Sequence, residues 1–209
     1  MTEEEYIESH IDAEPPRLRA LRRHTHICRL YPRMCTDHVQ GRLLATLTAM
    51  IRPHRILELG TFTGYSTLCM AEAMPEGCVI DTVELDTEYG DELRATFDAD
   101  PRGADITIYF GDAEAVAPGL LEAHDYDMIF VDANKRRYPE YLTMILPRVA
   151  SGTWILADNT LWDGKVCDPS AHDPQTEGIR RFNDAVVADP TLSVTILPIR
   201  DGLTLLRKL

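Results

Sequence analysis

Two acidic residues and an amide, Asp132, Asp158 and Asn159, form a set of hard oxygen donors, each placed at the end of an apolar run. Two carboxylates and one carboxamide suit Mg²⁺ or Ca²⁺ rather than zinc or copper. They would also leave positions open for substrate oxygens and water. Lys135 follows three residues after Asp132, so the two could face one cavity. Beside a cation and a desolvated substrate, a lysine can act as a base. Plainer alternatives stand beside both readings. Asp158-Asn159 can simply turn the chain after a strand, and Lys135 can be a solvated helix-start lysine.

A second constellation starts at Glu58. An apolar run stops at Glu58-Leu59-Gly60, Gly64 follows four positions after Gly60, and a helical pattern begins at Tyr65. Strand, tight turn and helix N-terminus in that order mark a site for a nucleotide-like ligand. Phe62 occupies the place where a dinucleotide site needs its second glycine for close approach of a pyrophosphate. The loop therefore suits a ligand without phosphates, and S-adenosylmethionine is the candidate. Glu84 lies 24 residues beyond Gly60, near the distance at which an acidic residue accepts from ribose hydroxyls. Asp112 could accept from an adenine amino group or cap the helix starting at Ala113, and the two roles can coexist.

These residues need strand ends to hold them. The sequence predicts strands at Arg55–Leu59, Val79–Leu85, Ile106–Phe110, Tyr126–Asp132 and Thr153–Ala157. Their nearly continuous apolar character suits buried parallel strands. Helices are expected at Tyr65–Met74, Thr87–Asp98, Ala113–Ala123, Tyr138–Val149 and Thr176–Ala188. Two further strands, Ser193–Ile199 and Leu203–Leu209, flank a hairpin turn at Arg200-Asp201-Gly202. Ahead of the first strand come a capping box at Thr2 to Glu5 and helices from Pro16 to about Leu30 and from Asp37 to Ile51. The expected fold is α/β: a doubly wound, Rossmann-like, seven-stranded and mostly parallel sheet with an antiparallel C-terminal hairpin. One domain spans 1–209, with 1–51 completing the site.

The net charge of −13 opposes non-specific nucleic-acid binding. Arg17, Arg19, Arg22, Arg23, Arg29 and Arg33 nevertheless form a local basic stretch, read as a solvated helix face. Five cysteines with no paired or zinc-like spacing read as reduced, mostly buried thiols in a cytoplasmic protein. No apolar run is long enough to span a bilayer, and the acidic start is unlike a signal or transit peptide. The seven histidines form no metal cluster by spacing.

Three ordered motifs closely resemble the cation-dependent O-methyltransferases, the group of catechol and caffeoyl-CoA O-methyltransferases and small bacterial relatives. They are Glu58 to Ser66, Phe130 to Lys135, and Asp158-Asn159-Thr160-Leu161-Trp162. Leu197 to Thr204 and Pro32-Arg33-Met34 add to the likeness, which covers nearly the whole chain. The resemblance implies an S-adenosylmethionine fold and roles residue by residue. Glu58, Gly60 and Gly64 would form the donor loop, and Ser66 would bind the donor carboxylate. Glu84 would hold the ribose, and Asp112 and Ala113 would border the adenine. Met34 and Thr36 would flank the donor, with Asp132 serving both donor and metal. Asp132, Asp158 and Asn159 would hold a divalent cation, Mg²⁺ first and Ca²⁺ or Mn²⁺ as alternatives. Lys135 matches the general base proposed in animal catechol enzymes. Trp162 would wall the acceptor pocket or pack in the core.

Asn134 departs from the aspartate usual in the plant-type enzymes and lowers the local charge. The expected acceptor is a small hydroxylated aromatic with vicinal hydroxyls, and the expected assembly a homodimer. A tRNA hydroxyuridine acceptor and a non-catalytic ligand-binding relative remain as alternatives.

Overall fold

Seven strands make one sheet in the order β3-β2-β1-β4-β5-β7-β6 in the computed structural model, which describes residues 1–209 apart from the side chain of Glu4. The strands are β1 (Arg55–Leu59), β2 (Val79–Glu84), β3 (Ile106–Phe110), β4 (Met128–Val131), β5 (Trp154–Asp158), β6 (Leu192–Leu197) and β7 (Leu203–Lys208). β1 to β5 pair in parallel, and β7 alone runs against its neighbours β5 and β6. This is the expected doubly wound sheet with its antiparallel hairpin.

The helices are α1 (Glu3–Ser9), α2 (Pro16–Cys28), α3 (His38–Ile51), α4 (Tyr65–Ala73), α5 (Gly90–Asp98), α6 (Ala113–Ala123), α7 (Tyr138–Ile145) and α8 (Pro174–Ala188). Strand periodicity sorts them into two layers. Leu57, Leu59, Ile129 and Val131 face α6, α7 and α8. Ile56, Met128 and Phe130 face α3 and α4. Glu58 shares the parity of Ile56, so an acidic side chain at the end of β1 turns towards α4.

Several boundaries move for local reasons. α5 begins at Gly90 rather than Thr87, because Asp86 and Glu88 donate their N–H groups to the side chains of Glu84 and Asp86 in successive turns. α7 stops at Ile145 and tightens into a 3₁₀ turn at Leu146–Arg148, since Pro147 brings no N–H to the ladder. β4 begins at Met128 rather than Tyr126. Asp127 still bonds both neighbours, its N–H donating to the Arg55 carbonyl at 3.2 Å and its carbonyl accepting the Trp154 N–H at 2.9 Å, while Tyr126 donates its hydroxyl to Asp81 at 2.7 Å. Asp81 is itself buried in β2 and takes Arg55 at 2.6 Å. The capping box of α1 is formed as expected, with Thr2 and Glu5 satisfying each other's backbone.

Candidate active site

Glu58, Glu84, Asp132 and Asp158 stand at the carboxyl ends of β1, β2, β4 and β5, and Asp112 follows β3. Glu58 is fully buried. Its carboxyl accepts from Ser66 at 2.6 Å, from Thr82 at 2.6 Å and from Thr67. Burial pushes its pKa up to about 7, against the pull of the three hydroxyls. Ser66, expected to meet a donor carboxylate, spends its proton on Glu58 here.

The chain leaves β1 through two left-handed glycines, Gly60 at φ +97° and Gly64 at φ +83°. A Cβ at Gly60 would lie 2.4 Å from the Asp132 carbonyl oxygen, so the loop after β1 rests on the end of β4. Between the glycines Phe62 is also left-handed, at φ +51°. That conformation is costly for an aromatic residue. It turns the Phe62 N–H onto Glu84 at 2.6 Å, with Thr61 N–H at 3.2 Å. Glu84 therefore shapes the loop from β2 with Oε2, while Oε1, which accepts the Asp86 N–H at 2.8 Å, keeps a lone pair for a further donor such as a ribose hydroxyl. Gly64 caps α4 without a side chain, which leaves the first N–H groups of that helix to a ligand or water. Asp112 caps α6 by accepting the Glu114 N–H at 2.9 Å, and Ala113 is buried behind it. Both readings of Asp112 stay compatible.

Asp132 and Lys135 form an ion pair, both largely buried. Asp158 is 2% exposed, and burial together with the neighbouring Asp132 charge pushes its pKa up to about 7. Lys135, the Gln40 side chain and the Asn159 N–H work against that rise. Asn159 sits left-handed at φ +60° and donates its N–H to Asp158 at 2.7 Å. The Tyr138 hydroxyl lies 2.9 Å from the carbonyls of both Val131 and Asp158, bracing the two strand ends from α7. Two carboxylates held close in a buried place repel each other, a situation a cation relieves. The chemistry of the donor set thus fits a divalent ion. It depends on the Asn159 amide, for among the described residues no three His, Cys, Asp or Glu side chains gather in metal-binding fashion.

Trp162 is half-buried at φ +47°, with its indole facing the Asp173 carboxylate. Met34 is exposed at the end of a 3₁₀ turn, while Thr36 is buried. The basic stretch is largely neutralised. Arg22 forks onto buried Glu14 with two bonds of 2.8 Å, Arg17 meets Asp100 at 2.7 Å, and Arg29 meets Glu92 at 2.6 Å. Cys35, Cys69 and Cys78 are buried, and Cys28 and Cys167 are exposed. Burial raises the Cys35 and Cys78 thiols to about 11, which makes them poor nucleophiles.

Sequence reasoning did not single out Gln40, Tyr138 or Arg200. Tyr138 carried a signal, an aromatic hydroxyl three residues after Lys135 at a helix start. Gln40 carried none, and Arg200 was read only as part of the hairpin turn.

This arrangement matches known proteins. A family model described as O-methyltransferase matches residues 8–209. A catechol O-methyltransferase of Niastella koreensis is 37% identical over 168 residues, covering 79% of this chain and 76% of the relative. A caffeoyl-CoA O-methyltransferase of Petroselinum crispum is 32% identical over 187 residues, 84% of this chain and 77% of the relative. Among solved structures, the O-methyltransferase TomG of Streptomyces achromogenes, in complex with SAM, aligns with a TM-score of 0.89 at 27% identity over 100% of this chain and 99% of its own. An O-methyltransferase of Bacillus cereus in complex with SAH aligns with a TM-score of 0.87 at 26% identity, over 98% of this chain and 96% of its own. The chain belongs to the O-methyltransferase family.

Proposed function

We propose that this O-methyltransferase moves the methyl group of S-adenosylmethionine to one hydroxyl of a small vicinal dihydroxy aromatic, with a divalent cation at Asp132, Asp158 and Asn159. The observation that carries the reading is the contact of Gly60 with the end of β4. It sets the donor loop directly against the strand that ends in Asp132 and leads to Lys135. The structures bound to SAM and SAH support the donor, and the catechol and caffeoyl-CoA relatives support the acceptor class.

A divalent ion held there supplies a Lewis acid that favours an acceptor oxyanion. The protein's residues do the rest. Glu84 and Glu58 fix the loop in which the donor's adenosyl and methionyl groups would sit. Lys135, held in place by Asp132, would take the acceptor's proton at Nζ after losing its own ammonium proton to solvent. Trp162 would form an apolar wall of the acceptor pocket. Positioning and exclusion of water supply most of the acceleration in such a displacement.

A homodimer and a cytoplasmic setting belong to the same proposal. The family resemblance supports the first, and the unpaired thiols support the second. No helix among the described residues is long and apolar enough to cross a membrane.

The test is labelled methyl transfer from S-adenosylmethionine to a panel of catechols and caffeoyl compounds, with Mg²⁺ and with EDTA. Transfer abolished by EDTA is expected. Undiminished transfer in EDTA would sink the cation, and no transfer at all would sink the acceptor class.

A further inference from the structure

Arg200 stands in the turn between β6 and β7 at φ +45°, a left-handed conformation that glycine adopts far more readily. The Gly202 N–H closes the turn onto the Ile199 carbonyl at 2.8 Å. The Arg200 side chain crosses to the N-terminal part of the protein. Nε meets Asp37 Oδ2 at 3.0 Å. Nη1 donates to the Gln40 Oε1 at 3.2 Å and lies 3.4 Å from the Cys35 carbonyl. Three acceptors in one short segment thus converge on one guanidinium.

The segment it holds touches both halves of the site. The Cys35 thiol faces the hydroxyl of Thr63 in the donor loop, and Cys35 packs in one cluster with Tyr65, Leu68 and Cys69 of α4. Gln40 is fully buried. Its side chain faces Asp158. The turn that carries Arg200 is tied in the other direction. Thr160 N–H donates to the Gly202 carbonyl at 3.0 Å and Leu161 N–H to the Asp201 carbonyl at 2.8 Å. Those residues directly follow Asp158 and Asn159.

We propose that Arg200 is a positioning residue. It latches the Cys35–Gln40 segment to the β6–β7 turn, and so keeps the donor loop and the end of β5 in one fixed relation. The latch rests on the methyl-transfer reading, since it acts on the pocket assigned to the donor. Asp37 is the anchor whose second oxygen caps α3 by accepting the Gln40 N–H at 2.8 Å.

The experiment measures S-adenosylhomocysteine binding by calorimetry and thermal unfolding for wild type, Arg200→Gly, Arg200→Lys, Asp37→Asn and the Arg200→Gly/Asp37→Asn double variant. Glycine relieves the turn while removing the latch, and asparagine keeps the cap while removing the charge. Arg200→Gly is expected to bind about tenfold more weakly with an unchanged or higher unfolding temperature. Lysine, which reaches Asp37 but cannot fork, should recover part of the loss. The double variant should bind no worse than Arg200→Gly. Binding by Arg200→Gly within about twofold of wild type, or additive losses in the double variant, would overturn the latch. Wild type that binds no S-adenosylhomocysteine would overturn the donor assignment and the latch with it.

Discussion

Gly60 lies against the carbonyl oxygen of Asp132, with room for a hydrogen and none for a methyl group. Gly60→Ala meets two obstacles, the contact and a φ of +97°. Loss of about 2–3 kcal/mol of stability is expected, together with loss of S-adenosylhomocysteine binding. Denaturant unfolding and calorimetry check the two separately.

Glu58 binds its proton more tightly folded than unfolded, with a pKa of about 7 against 4.5. Unfolding therefore releases a proton between those values. The contribution of Glu58 is fully present below about pH 4.5 and is lost as pH rises through about 7. The unfolding temperature should fall from pH 5 to pH 8, and Glu58→Gln should make that fall shallower. An identical slope in the variant would show that Glu58 is not the group responsible.

Glu14 has the opposite sign. Bonds from Arg22 and Tyr65 hold its carboxyl below the usual range against the opposing cost of burial. Its contribution is present above the unfolded value and is lost as pH falls through the folded one. Glu14→Gln should cost about 1–3 kcal/mol at pH 7. Because the Tyr65 hydroxyl donates to Glu14 at 2.8 Å, limited proteolysis should cut the α1–α2 region first.

Asp158 and Asp132 oppose each other across a buried space. Asp158→Asn should remove that repulsion and raise the unfolding temperature in EDTA. The same variant should lose metal-stimulated methyl transfer by at least about 100-fold, as expected when Lewis-acid assistance is removed. Donor binding, measured by calorimetry, should stay near wild type.

The strands were legible because buried parallel strands announce themselves as short apolar runs ending in polar residues. β1 and β3 match residue for residue, and β4 and β5 shift by one or two. The tight turn from β1 into α4 was legible in outline from Gly60 and Gly64. The left-handed states of Phe62, Trp162 and Arg200 were not, since nothing in those residue types asks for positive φ, whereas Asn159 is of a type that tolerates it in turns. Long-range partners were hidden for another reason. Arg22 reads as one more surface arginine until the fold brings buried Glu14 and Tyr65 to it. Gln40 and Arg200 lie 160 positions apart, and no local pattern links them.

β7 lies between β5 and β6, although β6 precedes it in the chain. Until residues 203–208 dock, β5 offers an open edge and β6 has no ladder to join. Folding of this region is therefore all-or-none across both strands, with β6 unable to lead. Pulse-labelled hydrogen exchange during refolding should show the β6 amides gaining protection together with those of β7, after the central β1–β4 pair. A chain stalled before that step would expose a ready template for intermolecular strand pairing, so the hairpin governs solubility during synthesis as well as the shape of the finished site.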